Sequence, residues 1–199
     1  MRLLEGTQAR TILVELQWGS EYGEYSELLL LAERDGAIAV VGSPVRLAYY
    51  GAVADHPAGE GPESWRLGPG DTLQLALDGS TFGVLACPVH VDAARGLRPL
   101  GREVECAAVE LGGDKDGPAA GARISLASAP RAGVPAREVQ VRGDTRARVL
   151  RARGVVSFDR DGRLGVTPRW LELEVDGARG WTSDDEVLHK LGIWPVDRC

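Results

Sequence analysis

The chain is poor in several things at once, and each shortage narrows what it can be. One methionine and few aromatic side chains leave the interior to be filled by aliphatic residues, because adaptable gap-fillers are scarce. Three cysteines, Cys87, Cys106 and Cys199, lack the close pairing of a metal knuckle, and an odd number makes a poor disulfide framework, so a reducing cytoplasm is expected. There is no basic excess: 29 acidic side chains stand against 23 lysines and arginines, and no long-range field draws such a protein to a polyphosphate backbone, so nucleic acid is not an expected partner. No signal-like segment opens the sequence. The longest apolar run, Leu28 to Ala32, is far too short to cross a bilayer, so no membrane span is expected.

Glycine and proline, by contrast, are plentiful, 26 and 11 in 199 residues, and they punctuate short apolar runs in the way of an all-β chain. The length suits one domain. Ile12, Val14, Leu16 and Trp18 share one parity, which predicts a half-buried strand whose inward face they form, with Leu13 breaking the pattern. Leu28 to Leu31 is apolar on both parities and reads as a central strand, with Leu29 in the core. Asp35-Gly36 supplies a tight hairpin turn, Ile38 to Val41 returns, and Val45 to Tyr50 follows the corner at Ser43-Pro44. The loop from Gly51 to Gly70 is long enough to be a first candidate site. Beyond it Leu73, Leu75 and Leu77 alternate with Thr72, Gln74 and Ala76, and Phe82 to Val91 and Val104 to Leu111 are the following strands. Pro88 cannot donate to a ladder and is expected at an edge or bulge.

After the acidic Gly112 to Pro118 loop, short strands are predicted at Ile124 to Leu126, Val139 to Val141 and Ala147 to Leu150. Leu171, Leu173 and Val175 then alternate with Trp170, Glu172 and Glu174, and Asp161-Gly162 and Asp176-Gly177 make two more turns. At the C-terminus the period changes. Ser183-Asp184-Asp185-Glu186 reads as a capping box, Val187, Leu188 and Leu191 as one helical face, Gly192 as the C′ residue, and Pro195 as a stop.

The succession Leu16-Gln17-Trp18-Gly19, then Glu24-Tyr25-Ser26-Glu27 opening an apolar strand, then Val45 to Tyr50, a Gly/Pro loop, and Gly70-Asp71 before another apolar strand resembles the calcium-binding, tellurium-resistance (TerD-type) family of stress proteins. The likeness is fullest over Ile12 to Leu111 and continues as strand order and a final helix to Ile193. It implies a β-sandwich with a short C-terminal helix. It also implies a non-enzymatic, cytoplasmic stress-response protein that works through protein partners. Carried over by position, the family's paired aspartates fall on Glu24 and Ser26, with Glu27 the alternative one step on. Its Gly-Asp-Asn segment falls near Asp55, and its Gly-Asp-Asp-Glu acid on Asp71. Calcium takes roughly six to eight oxygens. The set Glu24, Glu27, Asp55 and Asp71, with Glu60 nearby in sequence, therefore implies divalent binding that is weak or lost.

Other candidates have ordinary readings beside the functional ones. Acids at turns are favoured by their own backbone hydrogen bonds. His56, His90 and His189 are too far apart in sequence for a local ligand or nucleophile motif, and His189 suits a helix C-terminus. Arg142, Arg146, Arg148, Arg151 and Arg153 form a basic cluster whose common meaning is a solvated strand face. Trp170 and Gly180-Trp181 support an alternative: an adaptor in which about Val139 to Cys199, beyond a sub-boundary near 130–138, is an SH3-like peptide-binding module. An unrecognised hydrolase is motivated only by the long loop.

Overall fold

The computed structural model describes residues 2–4, 11–20, 23–46, 65–68, 70–78, 84–110, 117–160 and 164–193. In chain order the strands are β1 (Arg2–Leu4), β2 (Thr11–Ser20), β3 (Gly23–Arg34), β4 (Ala37–Val40), β5 (Val45–Arg46), β6 (Trp65–Leu67), β7 (Thr72–Asp78), β8 (Val84–Asp92) and β9 (Gly96–Arg98). They continue as β10 (Glu103–Glu110), β11 (Arg123–Ala127), β12 (Ala136–Gln140), β13 (Ala147–Phe158), β14 (Leu164–Val175) and β15 (Ala178–Thr182), before the single helix α1 (Asp185–Lys190). The architecture is all-β, antiparallel and sandwich-like, with one short C-terminal helix, as the turn-rich composition predicts. By contacts the residues group into two units interleaved along the chain. The first holds Met1–Asp78, Ala86–Arg102 and Val156–Gly165, and the second Gly79–Leu85, Glu103–Val155 and Val166–Cys199.

Within the first unit, one sheet runs β1-β2-β3-β4, with β5 also along β3. The β2–β3 register sets Thr11 opposite Ala32, Leu13 opposite Leu30 and Glu15 opposite Leu28. Thr11, Leu13, Leu28, Leu30 and Ala32 are all buried, so this is the inward face. The expected parity is corrected here in both strands. Ile12, Val14 and Leu29 are half-buried on the opposite face, and Leu16 is 45% exposed. The reason is an acid on the inward side: Glu15 Oε2 accepts a hydrogen bond from the Trp65 indole Nε1 at 2.9 Å, which satisfies a polar group that alternation alone assigns to solvent. The side chain of Trp18 lies outside the described residues, as do positions 47–50 of the predicted strand after Pro44.

The other strands of this unit run β6-β7-β8, with β9 against β8. Leu73, Leu75 and Leu77 are fully buried as predicted, and burying each leucine is worth about 1.5–3 kcal/mol. Along β8, Leu85, Cys87, Val89 and Val91 are buried in unbroken alternation. Pro88 therefore sits in an inner strand without a parity slip, not at the edge or bulge expected of it. At one crossing the main chains of two segments touch. A Cβ on Gly42 would stand 2.7 Å from the Arg95 carbonyl oxygen, and one on Gly96 would stand 2.7 Å from that of Val41; both glycines have positive φ. Beside this crossing Arg34 donates to the Ala94 carbonyl, and Asp92 closes the turn by accepting from Ala94 N at 2.8 Å and Arg95 N at 3.1 Å.

In the second unit the order is β12-β11-β15-β14-β13-β10. Leu171, Leu173 and Val175 are buried as predicted, but Leu164 and Val166 earlier in β14 are buried on the other parity. Buried Val149 and Ala152 show a matching slip in β13. The slip in β14 contains Pro168, and opposite it Gly154 comes so close that a Cβ would lie 2.4 Å from the Thr167 carbonyl oxygen. A bulge at a proline removes the need for its missing N–H. Asp176-Gly177 forms the β14–β15 turn with both φ positive, as Asp35-Gly36 does between β3 and β4. The helix buries Val187 and Leu188 as expected, with Leu191 just beyond it, and Gly192 follows at φ 68°. Its N-cap, however, is Asp184, whose carboxylate accepts from Glu186 N at 2.9 Å. The N-cap thus lies one residue later than predicted, and with Val187 at the third helical position no reciprocal capping box forms. Cys87 and Cys106, 0% and 1% exposed, are both disulfide-bonded. This corrects the reading of an odd cysteine count and removes that argument for a reducing compartment. Among the described residues no helix is long and apolar enough to cross a membrane.

Candidate functional site

The four acids assigned to metal by resemblance fare differently. Glu24 pairs with Gly19 in the β2–β3 ladder, but its side chain, like the whole of Asp55 and Glu60, lies outside the described residues. Glu27 is half-buried in β3, opposite Leu16 and Arg46. Asp71 is exposed just ahead of β7, and its backbone carbonyl accepts from Val91 N at 2.8 Å. Among the described residues no three His, Cys, Asp or Glu side chains are grouped closely enough to hold an ion, so no coordination geometry follows. Of the histidines, His56 falls outside the described residues, His90 pairs with Arg98 in β8–β9, and His189 is in the last turn of α1.

The basic cluster is a ladder of ion pairs on β10, β13, β14 and β15. Arg151 binds Glu172 and Glu105, Arg153 and Arg169 share Glu103 at 3.0 Å each, and Arg148 and Arg179 share Glu174 at 2.9 and 2.8 Å. Arg142 reaches Asp176 at 3.3 Å. The alternating signs make this a solvated strand face rather than an uncompensated positive patch. The Arg179 guanidinium beside Glu174, with Arg148 assisting, holds that carboxyl below its ordinary value. Asp176 is lowered chiefly by the Arg146 backbone N–H, and Asp92 chiefly by that of Ala94. Arg151 lies 5.2 Å over the ring of Trp181, which is only 5% exposed. Trp181 is therefore a packed side chain, with no face left to line a peptide groove.

An open recess of about 240 Å³ lies beside Pro168, Leu171 and the residues entering α1. Three of its polar side chains are engaged: Thr182 Oγ1 accepts from Asp184 N at 3.1 Å, Asp184 caps the helix, and Arg169 holds Glu103.

What distinguishes the surface is β4. Ala37, Ile38, Ala39 and Val40 are all exposed, Ile38 at 66% and Val40 at 54%. The strand ends the order of its sheet among the described residues. Its register against β3 pairs Leu31 with Val40 and Glu33 with Ile38, and Val41 N donates to Leu30 O at 2.7 Å. Hydrogen-bonded and non-hydrogen-bonded pairs alternate along an antiparallel ladder. Val41, Ala39 and Ala37 therefore turn their amides toward β3, and Ile38 and Val40 turn theirs away. The residues with the most exposed apolar side chains are thus also those whose N–H and C=O groups face outward. An uncharged edge that no other described strand covers is a template for strand addition. In the sequence, Ile38 to Val41 reads only as a returning strand. The signal that was there is the absence of any charge or proline between the Asp35-Gly36 turn and Gly42. Comparison with protein-family models, with curated proteins and with solved structures finds no match for the chain.

Proposed function

We propose that the chain is a non-enzymatic protein that works by binding a protein chain along the β4 edge, in the stress-response role that its resemblance to the tellurium-resistance family implies, with divalent-cation binding weak or lost. The observation that supports this reading is the pairing of outward backbone groups with exposed apolar side chains at Ile38 and Val40. A bound strand gains main-chain hydrogen bonds from the first and side-chain contact from the second. The test is complementation. Cells lacking the gene are challenged with tellurite and with oxidants, then supplied with the wild type or with Val40→Lys, which charges the edge while leaving the β3 ladder intact. Rescue by the wild type and failure of a folded Val40→Lys supports the proposal. Full rescue by Val40→Lys, or no phenotype on deletion, overturns it.

A further inference from the structure

Resting on the reading of β4 as a protein-binding edge, we infer that its occupant is the β4 strand of a second copy, paired antiparallel about a two-fold axis at Ala39. The outward residues are two apart, Ile38 and Val40. In the register that sets Ile38 opposite Val40 of the second copy, both members of each pair direct N–H and C=O toward one another. Four reciprocal backbone hydrogen bonds close, and none of them uses a group already engaged with β3. Directly opposed side chains in an antiparallel pair share a face. The exposed Ile38 and Val40 side chains of both copies therefore meet in one apolar cluster. A two-fold interface requires that kind of self-complementarity.

Charge supports the same occupant. Ala37-Ile38-Ala39-Val40 carries none, so pairing buries no ion and opposes no like charges. Edge strands ordinarily avoid self-pairing through an inward lysine, a proline or a bulge, and β4 has none of these. The interface is a short ribbon, smaller than stable dimers use, so the association is reversible and depends on concentration.

Sedimentation of the full chain from micromolar to millimolar concentration is expected to show monomer passing into dimer. Val40→Pro removes an outward N–H that the β3 ladder does not use, and edge strands tolerate proline; it is expected to remain folded by circular dichroism and to stay monomeric. Should it not fold, Val40→Lys serves the same purpose. The register is tested by trapping. Ala39 faces its own copy in a non-hydrogen-bonded pair, about 4.5 Å between Cα atoms, within the reach of a disulfide. In a Cys199→Ser background, Ala39→Cys is expected to cross-link between chains on mild oxidation at least tenfold faster than Ala37→Cys. A chain that stays monomeric throughout, a dimer that Val40→Pro leaves intact, or equal cross-linking at positions 37 and 39 overturns the inference. Those outcomes leave the complementation result to decide whether a different protein strand occupies the edge.

Discussion

Neighbouring leucines in one strand give the most direct check on how the first unit is packed. Leu30 is 2% exposed and faces Leu13, which is fully buried. Leu29 points the other way and is half-buried. Truncating Leu30 to alanine removes buried methyl groups and leaves a cavity in a closed core, a change that costs about 2–5 kcal/mol. Truncating Leu29 forfeits only part of a transfer energy of roughly 1.5–3 kcal/mol, and water or neighbouring side chains can fill the space, so about 1 kcal/mol is expected. In a chain of this size each kcal/mol moves the melting temperature by roughly 2–4 °C. Leu30→Ala should therefore lower Tm by roughly 7–14 °C at the middle of its range, and Leu29→Ala by a few degrees. Calorimetry on the two variants separates them. Equal losses, or a larger loss at Leu29, would refute the inward face assigned here.

Four further outcomes can be measured. Gly154→Ala places a Cβ 2.4 Å from the Thr167 carbonyl and 2.8 Å from the Pro168 Cα, both backbone atoms; a cost near the upper end of overpacking, about 3 kcal/mol, is expected in urea denaturation. Gly143→Ala, with nothing within 4 Å of the added Cβ, should stay within about 0.5 kcal/mol of the wild type. Asp92, Glu174 and Asp176 all have folded values below the ordinary carboxylate range. Their contribution is thus present above the unfolded values near pH 4 and is lost as pH falls through the folded ones; melts taken down the acid limb should steepen there. Asp176→Asn, which keeps the turn because asparagine tolerates positive φ, should flatten that limb, and an unchanged limb counts against the assignment. Thermal melts with millimolar calcium and with a chelator should superimpose; a shift of several degrees that Asp71→Ala abolishes would restore the tight calcium site.

The parts of the fold that could be read from sequence are those where a residue type has one physical use. Asp35-Gly36 and Asp176-Gly177 adopt positive φ where a two-residue hairpin needs it, and the leucines of β7 recur at every second position, so one face collects them in the core. In β2 the more apolar parity, Ile12, Val14 and Leu16, is the one turned away from the core. What decides between the two parities is the contact of Glu15 with Trp65, 50 positions away, which no local window contains. Pro88 was misplaced for a related reason: proline states what a strand lacks, not which neighbours the strand has. Of the candidate metal set, Glu27 and Asp71 could be placed but not joined, because coordination depends on tertiary convergence. The β4 edge was invisible because a strand apolar on both parities looks the same whether it lies inside a sheet or at its rim.

The crossing of Gly42 and Gly96 has a mechanical meaning. At most contacts between sheets, side chains stand between the main chains and can change rotamer when one layer shifts. Here backbone rests on backbone, with a Cβ on Gly96 falling 2.9 Å from the Gly42 Cα, and Arg34 ties the same corner to Ala94. Nothing at that point can yield by rotation. Sliding the outer end of β4 past the turn before β9 would therefore have to push main chain against main chain, so a load applied to the β4 edge should be felt in the β8–β9 turn.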